Sequence, residues 1–357
     1  MKRVLVINPG STSTKIAVYE DQKQLFSDNI VHSDEELYAN GHALTDQLPL
    51  RNRIVLETLA KHGIAPEELD GVVGRGGMIP ELFTGAYYVN DEMKDALLHD
   101  PKVTAHASNL GAFLAEAVAA PLGIPAIIYD AVASDDMPEL AKITGFAEVR
   151  RTSFCHVLNM KAVARKYAEQ VGKKYEDLNL IIAHLGGGIS VSAHRDGKII
   201  DSVADDGGPF SPERAGSTNA FYIVDMCYSG KYTKAEIQRK LRGGGGMKAL
   251  LGTSDCREIE RRIADGDEWA KLVYDAQAYQ IAKGIGMMIP VLHGKIDAFI
   301  MTGGVANSKM LTGKVKEYIE AIAPVAVLPG EYEMEAMAYG LLRVLNDEEV
   351  VHVYHKD

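Results

Sequence analysis

Val4-Leu5-Val6-Ile7-Asn8-Pro9-Gly10-Ser11-Thr12-Ser13-Thr14-Lys15 is the stretch whose reading decides the fold. Residues 4–7 are apolar and mostly β-branched, which predicts a short buried strand, and residues 8–15 predict a polar, glycine-containing turn. Ile16-Ala17-Val18-Tyr19 returns as a second strand, Glu20-Asp21-Gln22-Lys23 turns again, and Leu25-Phe26 opens a third. The same order recurs from Leu180. Residues 180–183 form the apolar run, His184-Leu185-Gly186-Gly187-Gly188 the turn, and residues 189–193 an alternating strand. A hairpin at Asp196-Gly197 then leads into Ile199-Ile200. Ordinary hairpins have no need of a dense Gly/Ser/Thr cluster after the first strand, yet both copies carry one. The chain therefore reads as a duplication of one α/β unit.

Helical periodicity covers residues 109–120 and 156–171 between and within the copies. Residues 267–288 predict a long buried helix closed by Pro290, with Trp269, Leu272, Val273, Tyr279 and Ile281 as core. Residues 298–308 read as a buried strand, a tight turn at Gly303-Gly304, and a helix N-terminus. Residues 333–345 form an amphipathic helix through Met334, Met337, Leu341, Leu342 and Leu345. The domains expected are 1–148 with 334–357, and 149–333.

At 357 residues and 46% hydrophobic content, the chain is long enough for two globular domains. Its 38 basic against 49 acidic residues give a net charge of −11, which argues against general binding to nucleic acid or anionic membranes. An anionic ligand must then be held by local cations and backbone amides. Cys155, Cys227 and Cys256 are far apart and form no CxxC pair, so neither a disulfide framework nor a zinc site is expected. The run at residues 4–7 is too short for a signal peptide, and residues 105–133 are broken by Glu116, Pro121, Pro125 and Asp130. A soluble cytoplasmic protein without a membrane span is expected.

The glycine turns fail the common nucleotide patterns. No Gly-Lys pair has the glycine spacing and following hydroxyl of a P-loop. The dinucleotide pattern loses its last glycine to Val191 after Gly186 and to Ile79 after Gly74. What remains is a pair of hairpin turns, Asn8, Ser11, Ser13 and Lys15 lining one and His184 with Gly186, Gly187 and Gly188 the other. Asp205-Asp206 is an acidic pair better read as a solvated loop.

This arrangement resembles the actin, Hsp70 and sugar-kinase superfamily, in which duplicated ribonuclease-H-like domains hold ATP phosphates in an interdomain cleft. V-L-V-I-N-P-G-S-T-S-T-K at the start and I-I-A-H-L-G-G-G-I-S at 181–190 resemble the acetokinase family. Y-D-A-V at 129–132, R-A-G-S at 214–217 and T-G-G-V-A-N-S at 302–308 extend the match along the chain. The Asn-Pro-Gly start, G-R-G-G at 74–77 and the compact length resemble that family's butyrate-kinase branch.

The resemblance implies reversible phosphoryl transfer between Mg²⁺-ATP and butyrate, giving butyryl phosphate and ADP. A kinase for isobutyrate, isovalerate or propionate, or an actin-like nucleotide switch, are the alternatives. It further implies that Arg214 contacts the transferring phosphoryl group and that His156 stabilises the transition state. His184 would donate to a phosphate oxygen or orient its turn, a satisfied buried histidine being the other reading. Asp130 would organise Mg²⁺ or hold the active-site arginine. Glu333 matches the second carboxylate near Mg²⁺, with Glu331 and Glu335 one helical step away. Asp255, Cys256 and Arg257 match the adenosine-side segment, while Gly303, Gly304 and Asn307 close around adenosine and the α-phosphate. His106 matches another active-site histidine. One position departs from the pattern: Val72 stands where acetate kinases carry a carboxylate-binding arginine, and Arg75 takes that role from a shifted position. A homo-oligomer is implied as well.

Overall fold

The computed structural model describes residues 1–80, 82–204 and 207–356; the Asp205-Asp206 pair lies outside them. In chain order the strands are β1 (Arg3–Pro9), β2 (Ser13–Glu20), β3 (Lys23–Val31), β4 (Gly71–Arg75), β5 (Ala86–Tyr88), β6 (Ala126–Tyr129), β7 (Leu180–Leu185), β8 (Ile189–Arg195), β9 (Lys198–Val203), β10 (Ala298–Gly303), β11 (Val325–Pro329) and β12 (Val351–Val353). The helices used below are α1 (Leu48–Lys61), α2 (Leu110–Ala119), α3 (Val157–Gln170), α4 (Cys256–Ala264), α5 (Glu268–Met288), α6 (Lys309–Ile319) and α7 (Glu333–Leu345). The chain divides into two compact units, Met1–Asp136 with Tyr332–Asp357, and Met137–Glu331. Residues 137–148, assigned above to the first domain, fall in the second unit, and Glu333, assigned to the second, falls in the first.

In the first unit the sheet runs β12-β5-β6-β4-β1-β2-β3. β1, β2 and β3 are antiparallel neighbours, and β4 lies parallel to β1. β1 is buried along both faces, which is why its sequence is an unbroken apolar run rather than an alternation. Leu5, Ile7, Ile16 and Val18 pack on Val55 and Leu59 of α1 and on Leu110, Leu114 and Val118 of α2. α7 packs against β1 and β4.

In the second unit the sheet runs β11-β10-β7-β8-β9, again with three antiparallel neighbours and a parallel strand beside the first. Both triplets slip register at the same place, between Val18 and Tyr19 in β2 and between Ala193 and His194 in β8. A shared bulge in the shared topology is what a duplicated unit would retain. The Asp196-Gly197 hairpin has positive φ at both residues, 53° and 71°, as a two-residue turn with matching twist requires.

Two expectations are corrected. The first turn is not residues 8–15, because the ladder pairs Asn8 with Lys15 and Pro9 with Thr14. Only residues 10–12 lie between the strands. Trp269, Leu272 and Tyr279 are not core: each is about half exposed. α5 buries one stripe, including Ala270, Val273, Tyr274, Ala278, Ile281 and Ile285, and those three side chains lie off it.

His194 on β8 is fully buried, its Nδ1 2.7 Å from the Tyr175 hydroxyl and its Nε2 2.7 Å from the Ser192 hydroxyl. Burial, helped by the Lys161 and Arg165 charges, pushes its pKa down to about 3 from 6.5. Between those values the unfolded chain takes up a proton that the folded chain excludes, so stability falls as the pH drops through that window, by at most about 1.4 kcal/mol per pH unit. In His194→Gln the slope of stability against pH, measured by urea unfolding on the acid side of neutrality, is expected to be shallower. An unchanged slope would assign the acid sensitivity to other groups.

Candidate active site

Since Asn8 and Lys15 are cross-strand partners, their side chains emerge on one face beside the tight turn. With Gly10, Ser11, Ser13, Arg75, His106, Ser108 and Glu333 they line a recess of about 320 Å³. Arg75 ends β4 and Glu333 opens α7, so the two meet although 258 positions separate them in sequence (333 − 75). Arg75 Nη1 lies 2.5 Å from Glu333 Oε2, and Asn8 Nδ2 donates to the same oxygen at 3.1 Å. Burial pushes the Glu333 carboxyl up, but the Arg75 charge, hydrogen bonds from Arg75 and Asn8, and the Lys15 charge outweigh it and hold the group below its ordinary range. Arg75 Nε is buried and has no partner among the described residues.

His106 caps a short 3-10 turn. Its Nδ1 accepts from the Ser108 amide at 3.2 Å and lies 2.7 Å from the Ser108 hydroxyl. An acceptor at Nδ1 leaves the proton of the neutral ring on Nε2. Burial, and then the Arg75 charge, lower its pKa and keep the ring neutral. Asp130, just past β6, is held at φ 41° and buried, with Oδ1 accepting from the Gly85 amide at 2.8 Å. It is not among the residues lining this recess.

In the second unit β7 carries His184 and α3 begins beside His156. Their rings stack with centroids 3.8 Å apart and planes 8° from parallel. His156 Nδ1 lies 2.8 Å from the Ser190 hydroxyl. Asn159 Nδ2, an amide that can only donate, reaches His184 Nδ1 at 3.0 Å and Thr302 Oγ1 at 3.2 Å. His184 is thereby set with its proton on Nε2.

Arg214 lies over the glycine turn. A Cβ on Gly188 would stand 2.5 Å from Arg214 Cζ and 2.7 Å from Nη1, so the guanidinium occupies the space that this glycine leaves open. Ser211 Oγ donates to Gly187 O at 2.6 Å, the Arg214 amide donates to Ser211 Oγ at 3.1 Å, and the Glu213 amide donates to Gly187 O at 3.2 Å. The arginine loop and the glycine turn are thus tied together. Of the predicted residues of this unit, His156, His184, Gly186, Gly187, Gly188 and Arg214 form this group.

Asp255, Arg257, Gly304 and Asn307 meet elsewhere in the unit, with Cys256 and Glu260, around a recess of about 460 Å³. Asp255 caps α4 and binds Arg257 through both carboxylate oxygens, at 3.0 and 2.7 Å. The Arg257 hydrogen bonds bring the Asp255 carboxyl down to about 2. Gly303 ends β10 at φ 90°, where a Cβ would strike Leu185 O.

The model of the acetokinase family matches residues 138–328, more than half of the chain. The chain belongs to the acetokinase family. Members of this family are phosphotransferases that use ATP or ADP and act on a carboxyl group. Among solved structures, the chain is similar to acetate kinase from Porphyromonas gingivalis at 21% identity and TM-score 0.79, covering 96% of this chain and 100% of that one. It is similar to a propionate kinase from Francisella tularensis subsp. tularensis SCHU S4 at 20% identity and TM-score 0.72, covering 95% and 98%. Acetate kinase from Entamoeba histolytica matches at 17% identity and TM-score 0.75, over 95% and 98%. At these identities the likeness shows the fold alone, a two-sheet ribonuclease-H-like α/β architecture.

The family's chemistry implies Mg²⁺. Among the described residues no three His, Cys, Asp or Glu side chains gather into a metal cage. Glu333 brings a hard oxygen donor to the first recess, which fits an ion that arrives on phosphate oxygens and keeps water ligands. No helix among the described residues is long and apolar enough to cross a membrane. Sequence reasoning missed Ser108, Asn159 and Glu260, which carry no motif and enter only through packing.

Proposed function

We propose that this acetokinase-family chain transfers the γ-phosphoryl group of ATP to the carboxylate of butyrate, reversibly. The observation that most supports this reading is the convergence of Lys15, Arg75, His106 and Asn8 on one recess, a set of donors suited to anions. A carboxylate with a pKa near ~4 to 5 is already ionised at neutral pH and needs no general base. The residues must instead position the reactants and stabilise charge on the phosphoryl group in flight.

In this reading Arg75, with its buried Nε unpartnered, takes the substrate carboxylate. His106 donates from Nε2, and Asn8, Ser11, Ser13 and Lys15 face phosphate oxygens. Arg214 stabilises the transferring group, with His156 beside it and His184 donating from Nε2. Gly186, Gly187 and Gly188 keep the Arg214 side of the turn open, and Asp255, Arg257, Gly303, Gly304 and Asn307 receive the nucleoside. Asp130 acts from behind, through the segment it anchors at Gly85. Glu333 would hold Mg²⁺, which when bound offsets phosphate charge.

Chain length is the open variable, because the similar solved structures include an acetate kinase and a propionate kinase. One methylene in an apolar pocket is worth about 1–3 kcal/mol, or roughly 10–200-fold in kcat/KM. With MgATP and hydroxamate trapping, kcat/KM across acetate, propionate, butyrate, isobutyrate, valerate and isovalerate is expected to peak at butyrate. A maximum at another acid would keep the chemistry and replace the substrate.

A further inference from the structure

Arg51 of α1 is among the largest fully buried side chains of the described residues, and no described carboxylate pairs with it. Its guanidinium is shared between the segment 10–14 and the side chain of Gln47. Nη2 donates to Gly10 O at 2.8 Å and, more distantly, to Ser11 O at 3.5 Å; Nη1 donates to Ser13 O and to Thr14 Oγ1, both at 2.8 Å. Nε and Nη2 also donate to Gln47 Oε1, at 3.1 and 3.0 Å, so all five N–H groups are engaged. Thr12 O accepts from the His32 amide at 2.8 Å, and Thr14 Oγ1 lies 2.8 Å from His32 Nε2.

Every carbonyl from Gly10 to Ser13 is therefore bonded to groups behind the turn. The amides of Ser11 and Thr12 donate to no acceptor among the described residues. Such a pattern, acceptors satisfied on one side and donors left on the other, makes an anion-binding concavity. The turn lines the recess of Lys15, Arg75 and His106. Burial lowers the Arg51 pKa to about 10, which leaves it charged at neutral pH, a fixed cation behind the turn.

We propose that Arg51 is a positioning residue for phosphate binding, holding the turn at residues 10–13 in its anion-accepting conformation by fastening the carbonyls of Gly10, Ser11 and Ser13 from behind. The proposal rests on the phosphate reading of the recess given above. Arg51 touches no reactant. It acts through the turn.

The test is steady-state kinetics on the full chain with MgATP and butyrate for Arg51→Met and Arg51→Lys. The expected result for Arg51→Met is a rise of about tenfold or more in KM for MgATP with KM for butyrate within about twofold, Arg51→Lys falling between. A merely structural role would lower the folded fraction, and so kcat, without moving either KM. Thr14→Val, which removes the hydroxyl between Arg51 and His32 and keeps the charge, covers the case in which Arg51→Met does not fold. It is expected to raise KM for MgATP about threefold. Binding of inorganic phosphate, followed by ³¹P line broadening, separates this proposal from the assigned activity. If the unmodified chain turns over no acid but binds phosphate, and the Arg51 variants lose that binding, the positioning role stands and the butyrate reading fails. Folded variants with unchanged KM for MgATP and unchanged phosphate affinity overturn the proposal, as does an unmodified chain with neither turnover nor phosphate binding.

Discussion

Arg214→Ala is expected to lower kcat by about 10³-fold or more while ATP affinity changes less than about threefold. An arginine that neutralises charge on a phosphoryl group in flight acts mainly in the transition state, so its loss appears in kcat rather than in binding. The loop carrying Arg214 is fastened to the glycine turn by the Ser211 and Glu213 hydrogen bonds to Gly187, and these survive the substitution. Isothermal titration with ATP beside initial-rate kinetics distinguishes the outcomes. Near-normal kcat would remove Arg214 from the mechanism, and a parallel loss of ATP binding would make it a ground-state ligand.

Gly188→Ala is the second large effect, and it needs no change to any polar group. The three atoms nearest an added Cβ all belong to the Arg214 guanidinium, at 2.5, 2.7 and 2.8 Å. φ at Gly188 is not in the positive range, so alanine strains no backbone there. The flexible end of Arg214 moves instead, and the fold is kept. A displacement of about 1 Å in a positioned catalytic group costs on the order of 10²-fold in rate, which is the expected fall in kcat, with the melting temperature nearly unchanged. Combining the two substitutions should be no worse than Arg214→Ala alone, because both act through one guanidinium. A kcat within about threefold of the unmodified chain in Gly188→Ala would show that the arginine's position over the turn is immaterial.

Much of the fold was legible because its central strands announce themselves. β1 and β7 are buried on both faces and so read as apolar runs without alternation, and each ends at a turn too rich in small residues for a plain hairpin. What was not legible depended on pairing and on partners distant in sequence. The ladder carries β1 to Pro9, which turns Asn8 and Lys15 from turn residues into cross-strand neighbours; polar strand ends look like turns in a sequence. Trp269 and Tyr279 lie within the α5 sequence but off its buried stripe, and an apolar residue on a helix does not by itself say which side it faces. Arg51 shares that stripe logic in reverse. It occupies a buried position with Val55 and Leu59 at four-residue spacing, where a charge is ordinarily absent. The carbonyls that accommodate it come from residues 10–13, which nothing in the local sequence could reveal.

The most direct measurement is ³¹P NMR of a reaction containing MgATP and butyrate labelled with ¹⁸O in its carboxylate. Attack by that carboxylate on the γ-phosphorus predicts a butyryl phosphate resonance that shows the isotope shift of an ¹⁸O bonded to phosphorus, growing as ADP appears. ADP and unlabelled inorganic phosphate without an acyl phosphate, or nucleotide binding with no turnover of any short-chain acid, would contradict carboxylate phosphorylation as the activity of this chain.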